Sequence, residues 1–435
     1  MASFSIPLTG LEADSTALNT IANDLSNMNT TGFKAASTNF ADLFYQQIGT
    51  TGSGDPIQVG AGVQVATNEI DFTQGSINST GNDTDVALNG SGFFVASNGS
   101  GGYEYTRAGD FTMNSDGALV TSNGLSVMGY PAVDGVVNTN APLTAISIPV
   151  GAVQEPQATT ALSMTANLDA ASTTGTQFPA QVTVYDSLGE PHVVTVTYEQ
   201  TAANTWSYSV ALPAADYSTA GTNLVPAAIT GTMTFDANGN LTTVSQGTGA
   251  AETVGTAKGD VSSLTLNFDP TTNNVLADGA NGLTIQWNLL GSSGTPTISQ
   301  VDTASAVAAT SQNGYASGQY QSFTIGSDGA VTVTYSNGQQ QNVGQLALAS
   351  VANLQGLSLL GDGDYATTLA SGGAVTGTSG TAGLGTMQDS ALEASNVNIS
   401  AEFSDLIVAQ RAFEANAKSV TTFDQVEQDT INMVH

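Results

Sequence analysis

Apolar residues recur with alternating spacings of four and three near both ends of this 435-residue chain. The pattern runs through residues 4–29 at the first end and through residues 399–434 at the second. Side chains three and four positions apart share one face of an α-helix, so each end is predicted to form a helix with a narrow apolar stripe. A stripe this narrow is typical of a coiled-coil seam rather than of a broad globular face.

The first helix is predicted to cover about seven turns, to tolerate Pro7 in its first turn and to stop near Gly32. The second is predicted from about Asn398 to Val434, with polar residues interrupting its stripe. The stripes could pack on the body of the same molecule or pair with other copies, and the residues alone leave both readings open. The stripe residues chosen as subunit-assembly positions are Phe4, Leu8, Leu11, Leu18, Leu25, Ile399, Phe403, Leu406, Phe413, Val420 and Ile431.

Between the two ends the periodicity changes to two, and Asn-Gly and Asp-Gly pairs are frequent. These pairs are typical of hairpins and tight turns, so the middle of the chain is predicted to be all-β. Residues 151–175 and 371–383 are rich in Ala, Thr, Gly and Ser and are predicted to be linkers or exposed loops. Alternation is clearest in Gln181–Val184, Val193–Tyr198, Leu264–Phe268, Leu283–Trp287 and Val331–Tyr335.

Charge and cysteine content exclude several classes of function. The chain has 36 acidic and 5 basic residues, a net charge of −31, and a length that predicts more than one hydrophobic core. Such a surface repels phosphate backbones, so no nucleic-acid partner is expected, and no phosphate loop of the GxxxxGK type occurs. The absence of Cys excludes disulfides, thiolate metal sites and cysteine nucleophiles.

No run approaches the roughly 20 apolar residues that span a bilayer, so membrane insertion is not expected. The first residues also lack the basic segment and compact apolar stretch of a cleaved secretory signal, which predicts export without one.

Candidate catalytic groups are few. The two histidines are His192, at a predicted strand start, and His435, and neither has an evident partner nearby in the sequence. A glycosidase-like carboxylate pair stays open because separations between acids are invisible in a sequence. Asp236–Asn240 and Asp362–Asp364 could bind calcium, but the first lacks the Gly and Glu spacing of an EF-hand, and turns explain both better. The prediction is therefore no enzyme, no catalytic, cofactor-binding or metal-binding residue, and no cofactor.

Three separated motifs resemble bacterial flagellar rod and hook proteins. Asn23–Lys34 resembles the signature near the start of these axial proteins, and Asp85–Phe94 is similar to their β-rich domain. Leu392–Val397 and Ala409–Phe413 resemble their terminal segment. The segment Val184–His192 resembles the outer domain that hook-type members carry as an insertion, so the resemblance favours the hook branch over the shorter rod proteins.

The resemblance implies a multidomain fold, with a terminal α-helical coiled-coil hairpin plus mainly-β inner and outer domains. A terminal helical core domain is expected from residues 1–34 and 396–435, and connecting segments from 35–75 and 384–395. An inner β domain is expected from 76–150 and 311–383. An outer β domain of one or two subdomains is expected from 151–310.

The function implied is a structural subunit that polymerises head-to-tail into a curved, flexible tube transmitting motor torque to the filament. Its implied partners are further copies of itself, rod and hook–filament junction proteins, the hook cap and the type III export apparatus. Its implied place is the extracellular part of the flagellum. The alternatives are a distal rod protein or, from a different class, a secreted β-rich adhesin or polysaccharide-acting enzyme. Arg107 and Arg411 are each either a subunit-contact cation or a solvated partner of a local acid.

Overall fold

The computed structural model describes residues 5–99, 101–217, 227–268 and 276–433. The chain divides into two compact units. Unit 1 consists of Met1–Val150, Gln321–Thr334 and Gln340–His435, and unit 2 consists of Gly151–Tyr320 and Tyr335–Gln339.

Unit 1 contains a helix from each end of the chain: α1 spans Ser5–Ser26 and α2 spans Ile399–Met433. Both lie close to the bounds that the apolar spacing predicts where they are described, and Pro7 does fall in the first turn of α1. None of the helices in the described ranges is long and apolar enough to cross a membrane.

Between the helices the described residues form 34 strands and two short 3-10 helices, at Ala214–Asp216 and Leu354–Gly356. The strands before residue 150 are β1 Ala36–Asp42, β2 Gln46–Thr50, β3 Pro56–Val59, β4 Val63–Ile70, β5 Ile77–Ser79, β6 Val86–Asn89, β7 Phe93–Ser97, β8 Tyr103–Thr106, β9 Thr112–Met113, β10 Leu119–Val120, β11 Ser126–Val133, β12 Val136–Val137 and β13 Thr144–Ala145.

The next group of strands is β14 Val153–Gln154, β15 Ala161–Asp169, β16 Gln177–Tyr185, β17 Pro191–Ala202, β18 Thr205–Ala211, β19 Ile229–Phe235, β20 Leu241–Gln246, β21 Glu252–Thr253, β22 Ser263–Phe268, β23 Leu283–Asn288, β24 Ile298–Val301 and β25 Ala306–Gln312. The last group is β26 Gly318–Ile325, β27 Ala330–Tyr335, β28 Gln340–Leu346, β29 Leu348–Ser350, β30 Ser358–Gly361, β31 Asp364–Ala366, β32 Val375–Gly377, β33 Thr386–Asp389 and β34 Ala391–Glu393.

Directly after α1, the chain forms a long antiparallel hairpin in which β1 pairs with β4 and β2 pairs with β3. The base of this hairpin lies against α1, where the backbone N–H of Val63 donates to Thr9 Oγ1 over 3.3 Å and Thr38 Oγ1 donates to Thr20 Oγ1 over 3.0 Å. Residues 35–75, which are predicted from the sequence to be a connecting segment, therefore contain four regular strands, and two of these, β1 and β4, lie against α1.

The larger sheet of unit 1 follows the order β27, β28, β11, β7, β8, β31 and β30, with antiparallel pairing between neighbours. Its core includes a triangle of rings, with centroids of Phe72 and Phe93 5.8 Å apart and those of Phe93 and Tyr365 5.5 Å apart. Strands β33 and β34, which lead into α2, pair with β6 and β5, so the two ends of the chain are joined through backbone ladders.

Unit 2 contains two sheets that share one hydrophobic core. Strands β16 to β21 form an antiparallel sheet in chain order, and β15 lies in a second sheet, parallel to β23 and β24 and antiparallel to β25. Trp206, Trp287 and Tyr198 are fully buried, and the rings of Tyr208 and Trp287 meet edge to face at 5.6 Å. A single apolar interior therefore holds both sheets.

The five segments with the clearest alternation all form strands, namely parts of β16, β17, β22, β23 and β27, which confirms the all-β prediction for the middle. The linker prediction for residues 151–175 is wrong, since β15 runs through this segment with every second side chain buried. The alternation is visible in Leu162, Met164 and Leu168, but the Ala, Thr, Gly and Ser content of the whole segment favoured a linker.

Candidate assembly surface

The face of α1 that is buried within the chain is made of small or short side chains. Pro7, Gly10, Ala13 and Ala17 are buried, together with Asp24. A Cβ placed on Gly10 would lie 2.7 Å from Asn416 Nδ2 of α2, so a larger residue at this position would displace the Asn416 side chain. Asn416 Nδ2 also donates to Asp14 Oδ2 over 2.9 Å. The helices thus pair through small residues and one amide–carboxylate hydrogen bond.

The predicted leucine stripe of α1 lies beside this buried face rather than on it. Leu11, Leu18 and Leu25 are half-buried, and Leu8 is 50% exposed. Phe4 lies outside the described residues. The chain's own helix pairing therefore leaves the large side chains of α1 only partly covered.

Helix α2 is even less covered. Across Ile399–Met433, all of which the structure describes, no residue is buried. Leu406 and Val420 are half-buried, whereas the other predicted seam residues of this helix, Ile399, Phe403, Phe413 and Ile431, are exposed. The predicted stripe leaves out Ile407, Val408 and Phe423, which are also exposed. Exposed large apolar side chains on several faces of an otherwise polar helix indicate a surface that contacts other molecules.

The β2–β3 hairpin carries a second exposed apolar group, which lies along its strands and at the junction with β1. Phe44 is 94% exposed, and Tyr45, Ile48, Ile57 and Val59 are also exposed. The adjacent aromatic residues Phe44 and Tyr45 could have indicated this group in the sequence. Because the residues around them do not alternate, the sequence predicts only a connecting segment there.

A buried charge cluster ties the start of the chain to its end. Glu393 Oε1 accepts hydrogen bonds from Lys34 Nζ over 2.6 Å and from the backbone N–H of Gly75 over 3.0 Å. Its other oxygen lies 3.4 Å from Arg107 Nε. The side chains of Lys34 and Glu393 are fully buried, and burial is the main reason that the pKa values of Lys34 and Arg107 are lowered.

This cluster settles the role of Arg107. The sequence left it as a subunit-contact cation or a solvated partner, and both readings are wrong, because Arg107 is buried, pairs with Glu393 and donates to the carbonyl oxygen of Gly90 over 2.9 Å. Nearby, Asn396 Oδ1 accepts from the backbone N–H of Ala35, and its Nδ2 donates to the carbonyl oxygen of Asp71. We call Lys34, Arg107, Glu393 and Asn396 the clasp.

Unit 2 holds a second polar cluster. His192 is buried, with Nε2 3.2 Å from Asp186 Oδ2 and Nδ1 3.0 Å from Asp216 Oδ2. The expectation that His192 has no nearby partner is wrong, since Asp186 stands six residues before it. Donor atoms of Asp186, His192 and Asp278 all lie within 4.8 Å of one another, a separation at which carboxylate and imidazole groups could hold a divalent cation.

The charges around His192 set its protonation. Burial lowers the pKa of His192, but hydrogen bonds to Asp186 and Asp216, with the negative charges of both, outweigh burial and raise it above the ordinary 6.5. The two turns suggested as calcium sites behave as turns: Asp236 Oδ1 accepts from the backbone N–H groups of Asn238 and Asn240, and Asp364 is buried against Asn123.

The geometry so far defines a structural subunit: a β-rich body carrying two incompletely covered helices, with its buried charges engaged in holding the fold together. Comparison with known families agrees. The chain matches the Flagella basal body rod protein family over residues 7–34, the Flagellar hook protein FlgE/F/G D1 domain over 87–166, the Flagellar basal body protein FlaE D2 domain over 154–315 and the Flagellar basal body rod FlgEFG protein C-terminal over 388–433.

Full-length relatives specify the branch. The chain is 34% identical to the flagellar hook protein FlgE of Salmonella typhimurium, with 99% of this chain and 100% of the relative aligned. It is 33% identical to that of Treponema pallidum, with 98% of each aligned. The crystal structure of Helicobacter pylori flagellar hook protein FlgE2 has the same fold at a TM-score of 0.53, with 15% identity, over 73% of this chain and 100% of the other.

The chain belongs to the flagellar hook protein family. It is a structural subunit of the polymeric hook and part of the flagellum rather than an enzyme, and the adhesin, polysaccharide-enzyme and distal-rod alternatives are not favoured.

The clasp generates a prediction for unit 1. Glu393→Gln leaves Lys34 and Arg107 buried without a balancing charge, so it should lower the free energy of unfolding of unit 1 by about 3–5 kcal/mol. Calorimetry would measure this loss, while the fluorescence of Trp206 and Trp287, both in unit 2, should report an unchanged transition. Glu427→Gln, at an exposed position of α2, is the control and should change stability little. Equal stability of the Glu393 and Glu427 variants would contradict the buried pairing.

The His192 cluster generates a pH prediction for unit 2. Because the native pKa of His192 lies above 6.5, the protonated form favours folding; this contribution is complete below about pH 6.5 and is lost as pH rises through the native pKa. Urea midpoints followed by tryptophan fluorescence should therefore fall from about pH 6 to about pH 9. His192→Gln cannot titrate there and should flatten the profile. A parent profile as flat as the variant's would disprove a raised pKa.

Proposed function

We propose that this hook subunit polymerises head-to-tail into a curved, flexible tube that transmits motor torque to the filament. One observation carries the proposal: in a helix of 35 residues, α2, no residue is buried, although several large apolar side chains lie along it. A monomer leaves this surface in water, whereas stacked copies cover it, and apolar burial is worth roughly 25 cal/mol per Å². A contact between two different patches that does not close a ring extends as a helical filament.

In this proposal the helices form the inner layer of the tube and the β units the outer layers. The assembly residues are the stripe positions of the sequence analysis, with Leu18 and Leu25 on α1 and Phe403 and Leu406 on α2 as representatives; Phe4 belongs to the same stripe in the sequence. The domain division follows the same plan: a helical core from residues 1–34 and 396–435, connections at 35–75 and 384–395, an inner domain from 76–150 and 311–383, and an outer domain from 151–310.

Family membership also supports the finer partners and location. The proposed neighbours are the rod and hook–filament junction proteins and the hook cap. The proposed route out of the cell is the type III export apparatus, without a cleaved signal peptide, to the extracellular part of the flagellum. The absence of Cys is compatible with passage as an unfolded chain.

Outer contacts that re-form as the tube turns must be small and polar. With 5 basic residues against 36 acidic ones, ion pairs cannot dominate contacts between subunits, so apolar and amide contacts do so. An outer surface rich in Thr, Ser, Asn, Gln and Gly suits contacts that slide.

The seam is tested by placing a charge in it. Leu18→Glu or Leu406→Glu should abolish polymerisation, because a carboxylate would be buried between copies, while the two units remain folded. Sedimentation and electron microscopy measure polymer, and tryptophan fluorescence and circular dichroism measure folding. Asn19→Glu adds the same charge at an exposed neighbouring position of α1 and should still assemble. Tubes formed by either leucine variant would show that the seam is placed wrongly.

Ionic strength gives an independent test. Subunits that each carry a net charge of −31 repel one another on stacking, so added salt or divalent cations should speed polymerisation by screening. Light scattering at low and moderate ionic strength measures the rate, with an uncharged solute at equal osmolality as the control. Rates that do not differ between the two ionic strengths would count against charge repulsion as a barrier to assembly.

A further inference from the structure

A groove of about 320 Å³ lies between α1, α2 and β1 in unit 1. Its walls are small or apolar, including Ala17, Phe40 and Ala409, and its charged lining residues are Asp14, Glu402 and Asp405. None of the lining residues is Lys, Arg or His. The groove therefore presents negative charge within an apolar surround.

Two further observations concern the charges around this groove. Asp24 is fully buried beside the groove without lining it; its Oδ2 accepts from the backbone N–H of Ala36, while its Oδ1 has no partner among the described residues. Burial raises the pKa of Asp24, and burial followed by the charge of Asp24 raises the pKa of Glu402. Lys34 and Arg107, two of the chain's five cations, are held by Glu393. Among the described residues, no cation therefore pairs with Asp14, Glu402 or Asp405.

The exposed cations of unit 1 lie on a different face of α2. Arg411 and Lys418 are exposed, and no ion pair within the described ranges involves either one. At 3.6 residues per turn, Arg411 is rotated by roughly 120° from Asp405 and roughly 160° from Ala409. The groove-lining acids Glu402 and Asp405 therefore lie on a different side of α2 from Arg411, whose own side also carries Glu414. Arg411 does not line the groove of its own chain.

We propose that the groove receives Arg411 of a neighbouring copy, whose guanidinium pairs with Asp405 and Glu402. The inference rests on the proposed polymerisation and adds the charged contact that sets how adjacent subunits align. Arginine suits the site because its planar fork can bond two carboxylate oxygens at once and its weak hydration lowers the cost of entering an apolar groove. Since the donor and the acceptor faces differ, the contact repeats from copy to copy without closing.

A charge swap tests the contact. Arg411→Glu and Asp405→Arg should each raise the critical concentration for polymerisation about tenfold or more, because each places like charges together. The double variant Arg411→Glu/Asp405→Arg should return it toward the parental value. Circular dichroism and thermal unfolding of each variant, compared with the parent, establish that the subunits are folded.

Mixing distinguishes a contact between copies from one within a chain. An equimolar mixture of the two single variants should co-assemble, since Arg411 of the Asp405→Arg variant can enter the intact groove of the other. The carboxylate that Arg411→Glu introduces can in turn meet the guanidinium that Asp405→Arg introduces. Rescue by the double variant but not by the mixture would place the pair within one chain and overturn the proposal.

Two other outcomes also decide against the contact. Parental assembly by Arg411→Glu would overturn it while leaving polymerisation intact. If the parent never polymerises under any ionic condition, the proposed function and this contact fall together.

Discussion

The close approach of α1 to α2 is the constraint on which the rest of the assembly surface depends. Gly10 leaves room for Asn416, and Ala13 and Ala17 continue the same buried face. Because small side chains take the places between the helices, the larger ones lie to the side, where the chain covers them only in part. Apolar surface that would stabilise an ordinary helical hairpin is in this way left accessible, and the proposed stacking would cover it.

The clasp holds both helices in place although their large apolar side chains are only partly covered within the chain. A buried ion pair is weak support for stability, because desolvation offsets much of the attraction, but it is demanding of geometry. Glu393 must reach Lys34, Gly75 and Arg107 at once, so the segments entering α2 and leaving α1 have one arrangement available. The clasp therefore fixes the C-terminal end of α1 and the N-terminal end of α2 to the β-sheets of unit 1, although both helices expose large apolar side chains.

The sequence predicted the elements well and their faces poorly. Helix bounds and the five alternating strands follow from local periodicity, which each segment carries by itself. Which side of α1 is buried does not, because the leucine stripe and the small-residue stripe both repeat near helical spacing, and only contact with Asn416 selects between them. The same limit explains His192: its partner Asp186 is close in the sequence, but Asp216 and Asp278 reach it through folding. β15 was missed although Leu162, Met164 and Leu168 alternate in it, because the composition of the whole segment resembles that of a linker.

The positions of the five cations suggest how the acidic composition affects contacts between subunits. Two of the five cations, Lys34 and Arg107, pair with Glu393 inside unit 1, and a third, Lys258, lies in unit 2. The remaining two cations, Arg411 and Lys418 on α2, are too few to hold subunits together by charge alone. On a strongly acidic surface, however, one arginine is selective, because most other alignments place acidic groups against each other. In the proposed stacking, apolar contacts therefore supply the strength, while the pairing of Arg411 decides the register. A subunit richer in lysine would form ion pairs in many alignments and lose that discrimination.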